Sequence, residues 1–261
     1  MILLAYLAVG ALAGLIAGML GLGGGVVIVP ALALAFPLLG IPADVLMHLA
    51  IGTSLAVIVP TSMSSSYAHY RRGAVDAPLL RLMLPGLLTG AVLGGLLADT
   101  LPSDLLKRVF GAFVLAVSIQ IFFNATAPGR RPLPRAAGLM VTSTVIGTAS
   151  TLLGIGGGSL TVPFLTYCQV DMRRAVATSS ACGLVLGVVG AATFLWAGRD
   201  HPGLPPGAWG YVYWPAFIGI AVASVATAPV GARLAHSLPV ILLKRVFAVL
   251  LASAGIRLLG F

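Results

Sequence analysis

Residues 21–30 read GLGGGVVIVP, and residues 154–163 repeat the pattern as GIGGGSLTVP. Both copies lie within strongly apolar sequence. A run of glycines does not propagate an α-helix, because each Gly is about 1 kcal/mol less favourable than Ala inside a helix. Glycine does let the backbone open and bring its N–H groups close to another group. The two copies therefore predict two related breaks in otherwise helical segments.

The composition places these breaks inside a membrane. Of the 261 residues, 59% are hydrophobic and only 8% are charged, and the mean hydropathy is +1.08. Soluble domains carry about 25% charged residues. The fold class predicted is an all-α integral membrane protein that crosses the lipid bilayer several times. The net charge of +9 comes from basic residues in short loops, where they set topology, so no nucleic-acid partner is predicted.

Each half of the chain contains about five apolar segments, judged against the roughly 20 residues that one span needs. In the first half they are residues 2–20, 26–39, 45–63, 79–98 and 105–123; in the second half they are 136–153, 160–167, 175–196, 211–234 and 241–259. The glycine-rich motifs come directly before the two short segments. We therefore expect broken or re-entrant helices at the glycines.

The two halves are internal repeats. Residues 105–110 and 242–247 both read LLKRVF, and each copy follows a Leu-Pro pair. The pair Thr53-Ser54 has a counterpart in Thr178-Ser179. We predict a first membrane repeat at 1–123, a linker at 124–135 and a second membrane repeat at 136–261.

Charge favours inverted over parallel repeats. If each repeat crosses the membrane an odd number of times, eleven of the fifteen basic residues share one side and four take the other. Those four are Lys107, Arg108, Arg199 and Arg257. Parallel repeats would give a split of eight against seven. The positive-inside rule therefore predicts two inverted-topology repeats, with the N-terminus outside.

Aromatic residues concentrate near the loop before the ninth segment, which is external in this topology. We interpret them as an interfacial belt. They are Trp196, Trp209, Tyr211, Tyr213 and Trp214.

The titratable residues do not suggest catalysis. All six acidic residues are aspartates at segment ends or in loops, which argues against a carboxylate-lined cation site at membrane depth. The histidines His48, His69, His201 and His236 also lie near segment ends and form no metal motif. No catalytic residue, metal site or cofactor is predicted, and the protein is not expected to be an enzyme.

Backbone amides and hydroxyls are the polar groups at membrane depth. Where a helix restarts after the glycines, its first N–H groups lack intrahelical partners, and such N–H groups bind anions. The predicted substrate-binding residues are Gly21, Gly23, Gly24, Gly25, Thr53, Ser54, Gly154, Gly156, Gly157, Gly158, Thr178, Ser179 and Ser180. Pro30 and Pro163 are the predicted structural hinges. Two structural alternatives stay open: glycine runs also allow close helix packing, and hydroxyls on apolar helices also bond to their own carbonyls.

The paired motif resembles the sulfite exporter TauE/SafE family. The resemblance rests on Gly-x-Gly-Gly-Gly with a following Pro, twice, and on Ala-Thr-Ser at 177–179; the first half departs with Gly-Thr-Ser at 52–54. It covers about residues 12–259. It implies a secondary transporter of the inner (plasma) membrane that moves sulfite or related sulfur-containing anions. The two predicted repeats lead to the separate hypothesis of alternating access, with one repeat moving against the other around the two glycine sites.

Other functions stay open at this stage. A carrier or channel for another small solute, such as a carboxylate or a metal cation, is the first alternative, and a membrane-embedded enzyme is the second. The sequence predicts a small anionic substrate and a lipid environment as partners. It does not decide whether the chain forms a homo-oligomer.

Overall fold

The helices follow the apolar segments of the sequence. The computed structural model describes residues 2–20, 24–123, 131–234 and 240–260. In the first half the helices are α1 (Ile2–Leu20), α2 (Gly25–Ala35), α3 (Ala43–Arg71), α4 (Ala77–Thr100) and α5 (Ser103–Phe122), and a 3-10 turn (Phe36–Leu39) extends α2. In the second half they are α6 (Ala136–Leu152), α7 (Gly158–Tyr167), α8 (Met172–Ala197), α9 (Trp214–Leu234) and α10 (Val240–Leu259), with a hairpin of β1 (Ala208–Trp209) and β2 (Val212–Tyr213) before α9.

The surface of this bundle confirms the prediction of an all-α membrane protein. Among the described residues, four helices are long and apolar enough to cross a bilayer: α3, α4, α5 and α8. Large apolar side chains such as Leu93, Ile119 and Val145 are more than half exposed. Exposed apolar side chains of this kind suit lipid, because lipid imposes no penalty on exposed hydrocarbon.

Helices α2 and α7 are the short segments that follow the glycine breaks. They contain 11 and 10 residues, which at 1.5 Å per residue gives about 15 Å. The hydrocarbon core of a bilayer is about 30 Å thick. Each is therefore a half-helix, as the prediction of broken segments at the glycines requires.

The equivalent helices α5 and α10 pack together and run antiparallel. Near the middle of α5, Gly111 lies against Leu258 of α10. Further along, the Ser118 hydroxyl donates to the carbonyl of Ala248, at 2.9 Å, and the Phe122 ring lies beside Arg245. Two helices that are related by the internal repeat and run in opposite directions place the repeats in inverted topology.

Helices α3 and α8 repeat this relation at the centre of the molecule. Leu55 contacts Gly190, and Ser62 contacts Gly183, so this pair also runs antiparallel. Helix α3 is the core of the fold, with nearly every residue from Val45 to Ile58 buried. The predicted inverted repeats are therefore found in both central helix pairs.

The outer helices pair across the repeats and run parallel. Helix α1 packs on α9, with Tyr6 against Gly219 and the Thr227 hydroxyl donating to the Ala11 carbonyl, at 3.0 Å. Its counterpart α6 packs on α4, the counterpart of α9, with Gly86 against Met140. The two pairings are equivalent under the internal two-fold relation.

The α4–α6 contact yields a first testable prediction. A Cβ atom at Gly90 would lie 2.3 Å from the Thr144 carbonyl oxygen and 3.0 Å from the Cα of Gly147. Because the obstructing atoms are backbone, Gly90→Val should lower the free energy of unfolding by about 3 kcal/mol, the upper end for overpacking. Thermal unfolding in detergent measures this, with Leu88→Val on the exposed face of α4 as the control. An unchanged midpoint for Gly90→Val would show that the two helices separate freely.

Two segment boundaries differ from the sequence prediction. Helix α3 was expected to end near residue 63 but continues to Arg71. It carries the polar residues 64–66 on its outer surface, where their hydroxyls need no buried partner. The ninth segment was expected to begin at Tyr211, but residues 208–213 form the hairpin instead, with positive φ at Gly207 and Gly210.

Candidate anion site at the glycine breaks

The second glycine break is a buried, non-helical stretch between α6 and α7. Helix α6 closes with Gly154 in the left-handed conformation (φ 65°). The N–H of Gly154 donates to the Thr151 carbonyl and the N–H of Ile155 to the Ser150 carbonyl. This is a Schellman motif, which needs glycine at the left-handed position. Gly154 therefore closes the C-terminus of α6, which ends at Leu152, and the chain stays non-helical until α7 begins at Gly158.

The amides that follow the motif are buried and unpartnered. Gly156 and Gly157 are both buried, and in the described part of the chain nothing accepts a hydrogen bond from either N–H. Gly157 is the N-cap of α7 and provides no side chain to cap the helix. Buried N–H groups in proteins are almost always paired. The break therefore presents donors at a positive helix end, as an anion site would.

The first break lies against the second. Gly24 caps α2 with a positive φ of 24°, and its carbonyl accepts from the N–H groups of Val27 and Ile28. A Cβ atom at Gly25 would lie 2.5 Å from the carbonyl oxygen of Gly154. The two breaks, 129 residues apart in sequence, therefore touch. Gly21 and Gly23, which were also predicted to bind substrate, lie outside the described residues.

The predicted threonines occupy equivalent places in the two repeats. Thr53 on α3 accepts from the N–H of Tyr213, at 2.9 Å, directly before α9. Thr178 on α8 accepts from the N–H of Asp76, at 3.1 Å, directly before α4. Each threonine thus holds the helix start of the other repeat. Both are fully buried, and each hydroxyl keeps its own hydrogen for a further bond.

The predicted serines use their hydrogens within the protein. Ser54 donates to the carbonyl of Gly154, at 2.7 Å, which ties α3 to the second break. Ser179 donates to the carbonyl of Val176, and Ser180 donates to that of Ala177. The bonds of Ser179 and Ser180 are the local helix bonds that were left open as the structural alternative.

Three hydroxyls near the second break were not among the predicted substrate-binding groups. Ser150 and Thr151 lie in the last turn of α6, and Thr161 lies in the first turn of α7. All three are fully buried, and none has a hydrogen-bond partner among the described residues. One sequence feature could have indicated them: Ser and Thr residues lie within a few positions of the glycines, in otherwise apolar segments. The first half has Ala17, Gly18 and Ile28 at the matching positions, so the second break is the more polar.

The two predicted hinge prolines lie at matching positions. Pro30 and Pro163 are each the sixth residue of their half-helix, α2 and α7. Proline lacks an N–H, so each leaves one helical carbonyl without its usual partner. Both half-helices therefore contain a proline at the same position. The hinge role of the two prolines stays a prediction.

A cavity of about 330 Å³ lies between α1, α2 and α10. It is mainly apolar, and its lining includes Val27 and Pro30 of the first half-helix. Ser253 and Arg257 of α10 add a hydroxyl and a positive charge. The cavity therefore lies next to the first break, because its lining includes Val27, three residues after Gly24.

The hairpin before α9 corrects the interpretation of the aromatic cluster. Trp196 and Trp209 are exposed, as an interfacial belt requires, but Tyr211 is only 4% exposed. Its N–H donates to the Phe194 carbonyl, and its hydroxyl donates to Asp99, at 3.0 Å. Burial and this hydrogen bond to a carboxylate raise the pKa of Tyr211 well above its usual range. Tyr211 is therefore a packing residue that anchors the hairpin inside the bundle, and its assignment to the belt was wrong.

The histidines that the structure describes differ in how deeply they are buried. His48, the sixth residue of α3, is 5% exposed and donates through Nε2 to the Ala98 carbonyl, at 3.0 Å. His69 and His201 are partly exposed, and His236 lies outside the described residues. Within the ranges that the structure covers, no three His, Cys, Asp or Glu side chains are grouped so that they could hold a metal ion.

Comparison with known proteins agrees with this architecture. The family model described as sulfite exporter TauE/SafE matches residues 6–258. A probable membrane transporter protein of Haemophilus influenzae is 34% identical over 261 residues, covering 98% of this chain and 97% of the relative. The probable membrane transporter protein YunE of Bacillus subtilis is 30% identical over 227 residues, covering 77% of this chain and 82% of the relative. No solved structure gives a significant match. The chain therefore belongs to the sulfite exporter TauE/SafE family.

Proposed function

We propose that this membrane transporter moves a small sulfur-containing anion, such as sulfite or an organosulfonate, and that it acts as an exporter. The observation that carries the proposal is the buried pair of amides at Gly156 and Gly157 for which no acceptor is found in the described chain. A buried N–H without an acceptor is costly. A bound anion would satisfy both amides without requiring a charged side chain.

The donor chemistry favours an anion over a cation. The breaks offer N–H groups and hydroxyl hydrogens, whereas a cation needs oxygen lone pairs from carboxylates or carbonyls. The acidic residues Asp76 and Asp171 serve as helix N-caps instead, accepting from backbone N–H groups at about 3 Å. We therefore propose that the breaks bind the anion through hydrogen bonds from N–H and O–H groups, without a carboxylate.

Two buried threonines supply further donors in this proposal. A sulfite or sulfonate group presents several oxygens, which N–H and O–H donors from different directions can satisfy. Thr53 and Thr178 each accept one bond and keep a hydrogen to donate. Ser179 and Ser180 spend theirs on helix carbonyls. Because Gly190 lies beside Leu55 and Gly183 beside Ser62, the two threonines are about 20 Å apart along the helices. We therefore assign each threonine to the substrate in its own half of the transport path, and the two serines to helix structure.

Alternating access is the mechanism that we propose for transport. Inverted repeats allow the two halves to exchange conformations around a site near the midplane. We take residues 1–123 and 136–261 as the two moving repeats and Pro30 and Pro163 as their hinges. The charge distribution leads us to place the N-terminus outside the plasma membrane.

A ligand screen tests the proposed substrate class. The purified protein is heated with sulfite, methanesulfonate, acetate or Mg²⁺. A ligand at about 100 times its dissociation constant stabilises the folded state by about 2.7 kcal/mol. We expect stabilisation by sulfite and methanesulfonate. Stabilisation by acetate or Mg²⁺ alone would favour a carboxylate or cation carrier and overturn the proposal.

The threonine assignment gives a separate prediction. Thr53→Ala and Thr178→Ala should each weaken binding by about 1 kcal/mol, or about fivefold in Kd, because each removes one donor. Isothermal titration with methanesulfonate measures the change. Ser180→Ala is the control, because its hydroxyl already donates to the Ala177 carbonyl. Equal Kd values for the threonine variants and the wild type would make both hydroxyls purely structural.

A further inference from the structure

His48 has one ring nitrogen in use and one buried without a partner. Its Nε2 lies 3.0 Å from the Ala98 carbonyl, which can only accept, so Nε2 carries a hydrogen. The other nitrogen, Nδ1, is buried and has no hydrogen-bond partner in the described residues. In the neutral ring Nδ1 is therefore a bare acceptor, able to take up a proton.

The surroundings of His48 connect it to the surface through acidic and phenolic groups. The Tyr211 ring packs on the His48 ring with centroids 4.9 Å apart, and the Tyr211 hydroxyl donates to the exposed carboxylate of Asp99 on α4. His201 contacts the far side of this cluster, 5.9 Å from the Tyr211 ring. Asp44 lies one turn earlier on α3 and faces the same loop, near Gly203. The Asp99 carboxylate that the Tyr211 hydroxyl binds would favour an imidazolium at His48, whereas burial of the ring opposes it.

The same hairpin joins His48 to the proposed anion site. Tyr211 packs on His48, and two residues later the N–H of Tyr213 donates to Thr53. Along α3, His48 and Thr53 are five residues apart, or about 7.5 Å. His48 and Thr53 therefore contact the same hairpin, through Tyr211 and Tyr213 respectively.

We propose that Nδ1 of His48 binds and releases the proton that is coupled to anion movement. The inference rests on the proposed function, and in it the proton is the ion whose movement is coupled to that of the anion. The proton comes from solvent on the Asp99 side, which is the outer side in the predicted topology, adds to the Nδ1 lone pair without breaking a covalent bond, and is released to the inner solvent. Inward movement of a proton in exchange for an outward-moving anion would let a proton gradient drive export.

His48→Gln separates this role from a structural one. The glutamine amide can keep the hydrogen bond to the Ala98 carbonyl, but it does not take up a proton in the physiological pH range. Proteoliposomes containing the full chain are loaded with methanesulfonate, which stays ionised, and uptake of labelled methanesulfonate is followed by counterflow and under a pH gradient. We expect counterflow to survive in His48→Gln, while accumulation driven by the gradient falls about tenfold. His69→Gln on the same helix is the control and should match the wild type.

A direct titration decides the proposal independently of transport. In nanodiscs, ¹⁵N-histidine spectra of substrate-free wild type and His48→Gln identify the His48 signal. We expect it to change protonation state between about pH 5 and 8, the range in which histidine commonly titrates. A His48 signal that stays neutral throughout, or gradient-driven accumulation that is unchanged in His48→Gln, overturns the proton site. Absence of wild-type counterflow would instead overturn sulfonate transport, with the titration still deciding whether His48 binds a proton.

If His48→Gln does not fold, single variants of His69, His201 and His236 identify the other three histidine signals and leave that of His48, and Tyr211→Phe then tests its titration. It removes only the hydroxyl that joins the cluster to Asp99. We expect the pH at which His48 titrates to shift in this variant, because the Asp99 carboxylate is released from Tyr211. An unshifted titration would show that Asp99 and Tyr211 do not act on His48.

Discussion

Replacing Gly157 by valine is expected to abolish anion binding while the protein still folds. A Cβ atom at this position would lie 3.1 Å from the N of Gly183 and 3.3 Å from the Cβ of Cys182 on α8. Gly157 has an ordinary helical conformation with φ of −54°, so the backbone itself accepts a side chain. The same Cβ would lie 3.2 Å from the Ser179 carbonyl oxygen, so the side chain must push the break away from α8 by a few tenths of an ångström and displace the unpartnered amides.

Binding and folding can be measured separately for this variant. We expect the Kd for methanesulfonate to rise by at least about 100-fold, the loss of two hydrogen bonds to a charged ligand, with the helical content unchanged by circular dichroism. Gly138→Val, on the exposed first turn of α6, is the control for added bulk. Wild-type affinity in Gly157→Val would remove the second break from the binding site.

Gly25→Val is expected to damage the fold as well as the site. Its Cβ would lie 2.5 Å from the Gly154 carbonyl oxygen and 2.9 Å from the Cα of Ile155, and both are backbone atoms. The two breaks must then move apart, which strains α2 against the bundle. Overpacking of this kind costs about 1–3 kcal/mol.

The unfolding midpoint and the anion Kd together test this contact between the breaks. We expect a lower midpoint and no measurable methanesulfonate binding. Ala31→Val is the matched control, because it enlarges a side chain on the same helix that faces the cavity beside α10. If Gly25→Val unfolds like the control and still binds, the contact between the breaks has no role in anion recognition.

The sequence was sufficient to predict most of the helices and the repeat. Apolar length and the glycine motifs predict α1 and the half-helices α2 and α7, because lipid requires spans of a set length and glycine interrupts them. The skewed distribution of arginines predicts inverted repeats, and the antiparallel pairs α5–α10 and α3–α8 agree with it. The division at 124–135 stays a prediction, since most of that linker lies outside the described residues.

The details of the site depend on tertiary structure that a sequence does not contain. The hydroxyls of Thr53 and Ser180 look alike in the sequence, but one accepts from the Tyr213 N–H while the other donates to its own helix. His48 lies near a segment end, so burial was not expected until the hairpin was seen to cover it. Contacts between residues far apart in the chain decide which polar groups remain free.

The hairpin at 208–213 has no equivalent in the first repeat, where only five residues join α3 to α4. In a transporter with two identical inverted halves, the inward- and outward-facing conformations would be related by a two-fold rotation and would have equal free energy. Contacts made by one extra loop on one face favour one conformation, and each 1.4 kcal/mol of difference changes the ratio of the two populations about tenfold. We therefore expect the unloaded protein to rest mainly with the hairpin end closed, so that its resting state is set by an insertion rather than by the duplicated sequence.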